Sequence, residues 1–133
     1  MPPYFNIAYI KYYYYADASF QIEVPNHSSK AVVGLNFQID QKDKDVLLLI
    51  KDVFGGNLGY RESQDSYYYC STSFGSAKKI INYFDTFHLQ STKHINYLKW
   101  RKVYIMVQEK QHLTGTGIDN IINLKNSMNR SSV

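Results

Sequence analysis

The chain has a single cysteine, Cys70, among its 133 residues, so no internal disulfide can form and nothing points to a small, stapled secretory fold. It has no apolar run near the roughly 20 residues that a bilayer-spanning helix needs, and no membrane partner is expected. The first residues, MPPYFNIAYIKYYYY, have neither the apolar centre of a signal peptide nor the Arg- and Ser-rich bias of a transit peptide. His27, His88, His94 and His112 lack metal-ligand spacing and have no cysteine partners. Acidic residues are scarce in the second half. Residues 66–133 carry three of them against nine basic ones, whereas residues 1–65 carry eight against six. A positive half of this kind suits a polyanionic partner through phosphate contacts and counterion release, although a solvated basic face gives the same count.

What is present points to one globular unit. The length suits a single domain over 1–133 that buries a core without metals or disulfides, and no repeat or linker divides it. Aromatic residues reach 16%, with 13 tyrosines, which is unusual. Phe, Tyr, Met, Ile, Asn and Lys together outnumber Gly, Ala, Arg and Pro about threefold. That bias matches an A/T-rich gene, as in an organelle or an A/T-rich nuclear genome, and a mitochondrial origin is expected.

Residues 4–17 read as a short helix, although the run Tyr12 to Tyr15 suits one poorly. From Ser19 to Val24 the chain alternates strictly, with Phe20, Ile22 and Val24 on one face, which predicts a half-buried strand. Pro25-Asn26-His27-Ser28-Ser29 predicts a turn. A second strand follows, with Val33, Leu35, Phe37 and Ile39 alternating with Val32, Gly34, Asn36 and Gln38. Asp40 can cap a helix over 41–54 whose apolar face is Val46, Leu47, Leu49, Ile50, Val53 and Phe54, with Gly55-Gly56-Asn57 as its stop. Short strands near 58–62 and 67–73 precede helices over 76–88, 91–110 and 115–128, the last weakened by Gly115 and Gly117, and a frayed tail from Asn129 to Val133. This order predicts an α+β domain, a four-stranded antiparallel sheet with helices on one face.

Three stretches carry a family likeness. Tyr15-Ala16-Asp17-Ala18-Ser19-Phe20, Phe37-Gln38-Ile39-Asp40-Gln41-Lys42-Asp43, and Phe54-Gly55-Gly56-Asn57 with the later Leu89-Gln90-Ser91-Thr92-Lys93 resemble, in sequence and spacing, the LAGLIDADG homing endonucleases and the maturases derived from them. The likeness covers roughly residues 5 to 128. It implies the LAGLIDADG homing-endonuclease-like fold, with Asp17 holding a divalent metal such as Mg²⁺, Gln41 ordering the catalytic water and Lys93 near the scissile phosphate. Hard cations want carboxylate oxygens, and such sites stabilise attacking and leaving oxygens of a phosphodiester. Gln41 reads equally as the start of a helix, Lys93 as a solvated lysine, and Asp17 as an acid in a helix-to-strand turn.

The departures from the family pattern fall in its first motif. Ile10-Lys11-Tyr12 replaces Leu-Ala-Gly, Tyr15 replaces the first aspartate, and Ala18 replaces the glycine after the metal ligand. Two such helices pack closely through small residues, so a tyrosine at a glycine position overpacks the seam and a buried lysine there needs a partner. A homodimer through this helix is not expected.

The expected function is therefore nucleic-acid binding without cleavage and without a cofactor. RNA is favoured over DNA, with the protein acting as a component bound to ribosomal RNA and ribosomal proteins or as an intron-splicing factor. The alternatives are an active or partner-dependent DNA endonuclease using Mg²⁺ with Asp17, Gln41 and Lys93, or a structural protein–protein module. Candidate contacts are Gln21, Asn36, Gln38 and Arg61 on the open sheet face, and Tyr68, which can stack on a base or simply lie exposed. In the helical half they are Lys78, Lys79, Lys93, Lys99, Arg101 and Lys102. Residues 95–107 show no clean stripe, so the sequence does not say which of these share a face.

Overall fold

A computed structural model describes residues 18–24, 33–89 and 91–130. The expected helix over 4–17, with Asp17, and the expected turn over 25–29 lie outside the described residues. Four strands, β1 (Ala18–Glu23), β2 (Gly34–Gln41), β3 (Asn57–Arg61) and β4 (Ser66–Ser71), form one sheet in the order β1-β2-β4-β3, every neighbouring pair antiparallel. The described helices are α1 (Lys44–Phe54), α2 (Phe74–Thr86), α3 (Ser91–Gln108) and α4 (Gly115–Arg130).

The alternation read from the sequence sets the two sheet faces. Ala18, Phe20 and Ile22 on β1 and Leu35, Phe37 and Ile39 on β2 are buried. The register aligns Ala18 with Ile39 and Ile39 with Tyr69, so the same parity runs across to β4. Against this face lie Leu47, Ile50 and Phe54 of α1, Ile80 and Phe84 of α2, and Tyr97, Trp100 and Val103 of α3. Much of the contact is aromatic. Phe20 meets Phe37, Trp100, Tyr97 and Phe84 at centroid separations of 4.9, 5.2, 5.5 and 5.8 Å, offset and tilted as ring quadrupoles favour. Trp100, fully buried, donates its indole N–H to the Gln21 carbonyl, so the bulkiest core side chain also ties α3 to β1.

Most of the described tyrosines serve this core. Tyr69, Tyr83, Tyr97 and Tyr104 are buried. Burial pushes the Tyr69 phenol up to about 12. Burial, and after it a hydrogen bond to the Asp85 carboxylate, raises Tyr97 further.

The first helix begins later than the sequence reading placed it. Asp43, not Asp40, is its cap, with extended backbone and a carboxylate that accepts from the Asp45 amide at 3.0 Å. β2 runs on to Gln41, where Asp40 pairs with Tyr68 and Gln41 with Tyr67, so two more residues satisfy their backbone in the ladder before the helix starts. α2 starts earlier than expected, at Phe74, where the Ser73 side chain accepts from the Ser76 amide. Gly56 sits at φ 95°, and a Cβ there would meet the Cys70 carbonyl at 2.7 Å. The loop between α1 and β3 thus depends on glycine for both its dihedral angle and its clearance.

Candidate nucleic-acid interface

On the sheet face turned away from the helices, the register sets side chains in rows. One row crosses all four strands as Ser19, Gln38, Cys70 and Asn57; the next runs through Asp40, Tyr68 and Gly59. Gln21, Asn36 and Arg61 share the same parity, so the structure does bring the sequence-predicted residues Gln21, Asn36, Gln38, Arg61 and Tyr68 onto one face.

Most of them are engaged with other side chains of the same face. Asn36 is only 8% exposed and donates to Glu23 at 2.8 Å, so it is a structural amide and not an open contact. Gln38 donates to Asp40 at 3.1 Å, and the Arg61 guanidinium lies 3.6 Å from the same carboxylate. Arg61 also lies 4.5 Å from the centroid of the Tyr68 ring, within reach of a cation–π attraction. That ring crosses the position of Gly59, where an added Cβ would sit 2.2 Å from ring carbon Cζ. Gly59 is thus the slot into which Tyr68 folds down, and Tyr68 does not project as a stacking platform. Gln21, by contrast, is exposed and donates only to the neighbouring Ser19 hydroxyl at 3.3 Å.

The sequence reading missed Asp40 as the hub of this face, because Asp40 had been placed at a helix start. Its even spacing from Gln38 was the available signal. Cys70 sits half-buried in the middle row, and burial, followed by the Glu23 charge, raises its thiol pKa, which keeps it protonated. Among the described residues, Glu23 and Asp40 against Arg61 leave this face without positive excess.

Of the three residues assigned to catalysis by family likeness, the two described ones, Gln41 and Lys93, lie at one end of the sheet. Asp17 lies outside the described residues, but it directly precedes Ala18. Lys93, on the first turn of α3, donates its ammonium to the Ala18 carbonyl, so α3 reaches the residue next to Asp17 across 75 positions of sequence. Gln41 ends β2, two residues past Ile39, the partner of Ala18, and accepts from the Lys42 amide at 2.9 Å. No group of three His, Cys, Asp or Glu side chains gathers to hold a metal among the described residues.

The basic residues of the helices do not form one patch. Arg101 makes two contacts with Asp85, at 3.0 and 3.1 Å, while Tyr97 donates to the same carboxylate at 2.5 Å. Arg101 is thus engaged in the α2–α3 joint, with its side chain still 39% exposed. Lys99, two residues earlier, points to the opposite flank of a 3.6-residue helix, together with exposed Lys102 on the α4 side. Lys78 and Lys79 are exposed on α2. None of these four lysines has a hydrogen-bond or ion-pair partner among the described residues.

Comparison with known proteins agrees with this geometry. The profile described as LAGLIDADG endonuclease matches residues 13–104. A cox1 intron-2 protein of Schizosaccharomyces pombe is 63% identical over 106 residues, 80% of this chain and 33% of its own length. A protein of Neurospora crassa named as a probable intron-encoded endonuclease is 34% identical over 72% of this chain and 22% of its own length. The chain thus spans a third or less of these relatives. Among solved structures, an archaeal intron-encoded homing endonuclease complexed with DNA superposes with TM-score 0.85 at 22% identity, covering 99% of this chain and 87% of its own. The I-LtrWI LAGLIDADG homing endonuclease bound to target DNA gives TM-score 0.83 at 28% identity, covering 94% of this chain and 45% of that one.

Proposed function

We propose, from the premise that this chain belongs to the LAGLIDADG endonuclease family, that it is a nucleic-acid-binding domain of intron-encoded type that does not cut by itself. In this reading its ligand is RNA, met by the helical layer inside a mitochondrion. The observation that carries it is the placement of unpaired charge. Lys78, Lys79, Lys99 and Lys102 are free to meet phosphates, whereas the cation of the described sheet face, Arg61, is already neutralised by Asp40. Phosphate attraction and counterion release depend on cations that are not already paired. The intron names of the relatives favour an intron RNA over ribosomal RNA as the ligand. The altered first motif of the sequence supports the absence of cleavage.

Gel-shift titration of the 133-residue chain against intron-derived RNA and against duplex DNA of the same sequence, at two salt concentrations, tests this reading. Tighter, salt-dependent binding of the RNA supports it; binding of duplex DNA alone overturns it.

One observation favours a second reading, a DNA endonuclease acting with a further domain. Lys93 is anchored on the carbonyl of Ala18, the residue that follows Asp17 in sequence, with Gln41 at the same sheet end, and similar folds are solved in complex with DNA. Mg²⁺-dependent nicking that disappears in Asp17→Asn would establish it.

A further inference from the structure

Between α3 and α4 a cleft of about 740 Å³ opens, lined by Lys102, Ile105, Met106, Glu109 and Gln111 on one side and Asn120, Asn123 and Leu124 on the other. Its size lies within the roughly 300–1,000 Å³ of ordinary small-molecule sites. The cleft owes its shape to the tight link between the two helices. Lys110 takes the left-handed conformation at φ 62°, Gln111 begins a single 3-10 turn, and the Thr114 side chain caps α4 by accepting from the Gly117 amide at 2.9 Å. A Cβ on Gly117 would fall 1.7 Å from the Gln111 carbonyl oxygen, so this glycine is what lets the first turn of α4 seat against the link.

The walls combine two kinds of surface. Met106 is buried, and Ile105 and Leu124 are half-buried, which gives an apolar floor. Above it, Glu109 accepts from Gln111 at 2.8 Å, which holds the carboxylate at the mouth. Lys102, Asn120 and Asn123 have no hydrogen-bond partner among the described residues. Flat apolar contact, one fixed carboxylate, two unused amides and a cation make a donor and acceptor set suited to a nucleobase and its phosphate.

We infer that this cleft holds one unstacked guanine of a single-stranded RNA, an inference that rests on the RNA reading above and names the base it selects. Guanine offers adjacent donors, the N1 hydrogen and the N2 amino group, to the Glu109 carboxylate. Its O6 accepts from the amides of Asn120 or Asn123, its faces lie against Met106 and Leu124, and Lys102 takes the neighbouring phosphate with Lys99 one turn away. Adenine and cytosine turn an acceptor nitrogen toward the carboxylate, and uracil flanks its one donor with two carbonyls; each mismatch sets an acceptor lone pair against the carboxylate in place of a donor. Recognition of splayed bases along their edges is the usual way proteins read single-stranded RNA.

The test is fluorescence anisotropy of the 133-residue chain with uridine decamers carrying one central guanosine, adenosine or uridine. The expected result is about tenfold tighter binding of the guanosine decamer, the size of one good bidentate base contact. Glu109→Gln is expected to abolish that preference while general RNA binding persists. Asn123→Trp, an exposed substitution that fills the cleft, is expected to do the same with an unchanged circular dichroism spectrum. Equal, salt-dependent binding of all three decamers overturns the guanine site and leaves the RNA reading standing; no binding of any decamer overturns both.

Discussion

On the open sheet face Arg61 is shared between Asp40 and Tyr68, Gln38 donates to Asp40, and Asn36 donates to Glu23. On the helices Lys78, Lys79, Lys99 and Lys102 have no such partners among the described residues. Both surfaces are polar, yet a ligand must break existing contacts on the first and none on the second. A count of charged residues does not reveal this. Arg101 and Arg61 both add to the net charge of +4, and both are held by carboxylates of the chain itself. Attraction for a polyanion is set by the cations left unpaired.

The comparison presumes that the helical layer stays fixed to the sheet, and the largest effect should come from breaking that attachment. Trp100→Ala removes a fully buried indole and its hydrogen bond to Gln21; it should cost about 3–5 kcal/mol in urea unfolding. A loss below about 1 kcal/mol would mean that α3 does not anchor on β1 in this way.

Replacing Lys78, Lys79, Lys99 and Lys102 together by Gln addresses the contrast itself. RNA affinity should fall on the order of a hundredfold at low salt, and the slope of log affinity against log salt should flatten by about 3. The paired set Gln21→Ala and Gln38→Ala should change neither by much. The reverse ranking would move the interface to the sheet.

Alkaline titration separates the two regions by another route. The Tyr69 phenol has its folded pKa pushed by burial up to about 12, above the roughly 10 of an ordinary phenol, so the unfolded chain loses that proton first. The stability contributed by the neutral phenol is complete below pH 10 and falls as pH rises toward 12, by up to about 1.4 kcal/mol per pH unit for this one group. Thermal melts should therefore decline above pH 10, and less steeply in Tyr69→Phe. An unchanged slope in that variant would show that Tyr69 is not the group responsible.

The smallest effect is expected at Arg61. Its ion pair is partly exposed and worth up to about 1 kcal/mol, so Arg61→Ala should shift stability by no more than that and RNA affinity by less than about twofold. A tenfold loss in binding would place Arg61 in contact with the ligand and weaken the distinction between the faces.

The sequence was most legible where one physical rule sufficed. Alternation in Phe20-Ile22 and Leu35-Phe37-Ile39 located β1 and β2 and named their buried side. The turn chemistry of Gly55-Gly56-Asn57 ended α1. It was least legible where two rules competed. Asp40 suits a helix cap and also an extended ladder, and pairing of its neighbour Gln41 with Tyr67 decided for the ladder. Gly117 read as a weakness in α4, yet it sits where no side chain fits. Arg101 read as one more basic residue, because its partner Asp85 lies 16 positions away on another helix.

By itself, then, the amino-acid order determined the α+β class, the strand parities, the family and the excess of positive charge in the second half, because each is a matter of local periodicity, short motifs or composition. Which of those charges remain free, which tyrosines are core, and where a cleft opens between α3 and α4 were decided only by the tertiary structure. Each depends on which distant side chains the register and helix packing bring within hydrogen-bond range, and no local rule carries that information.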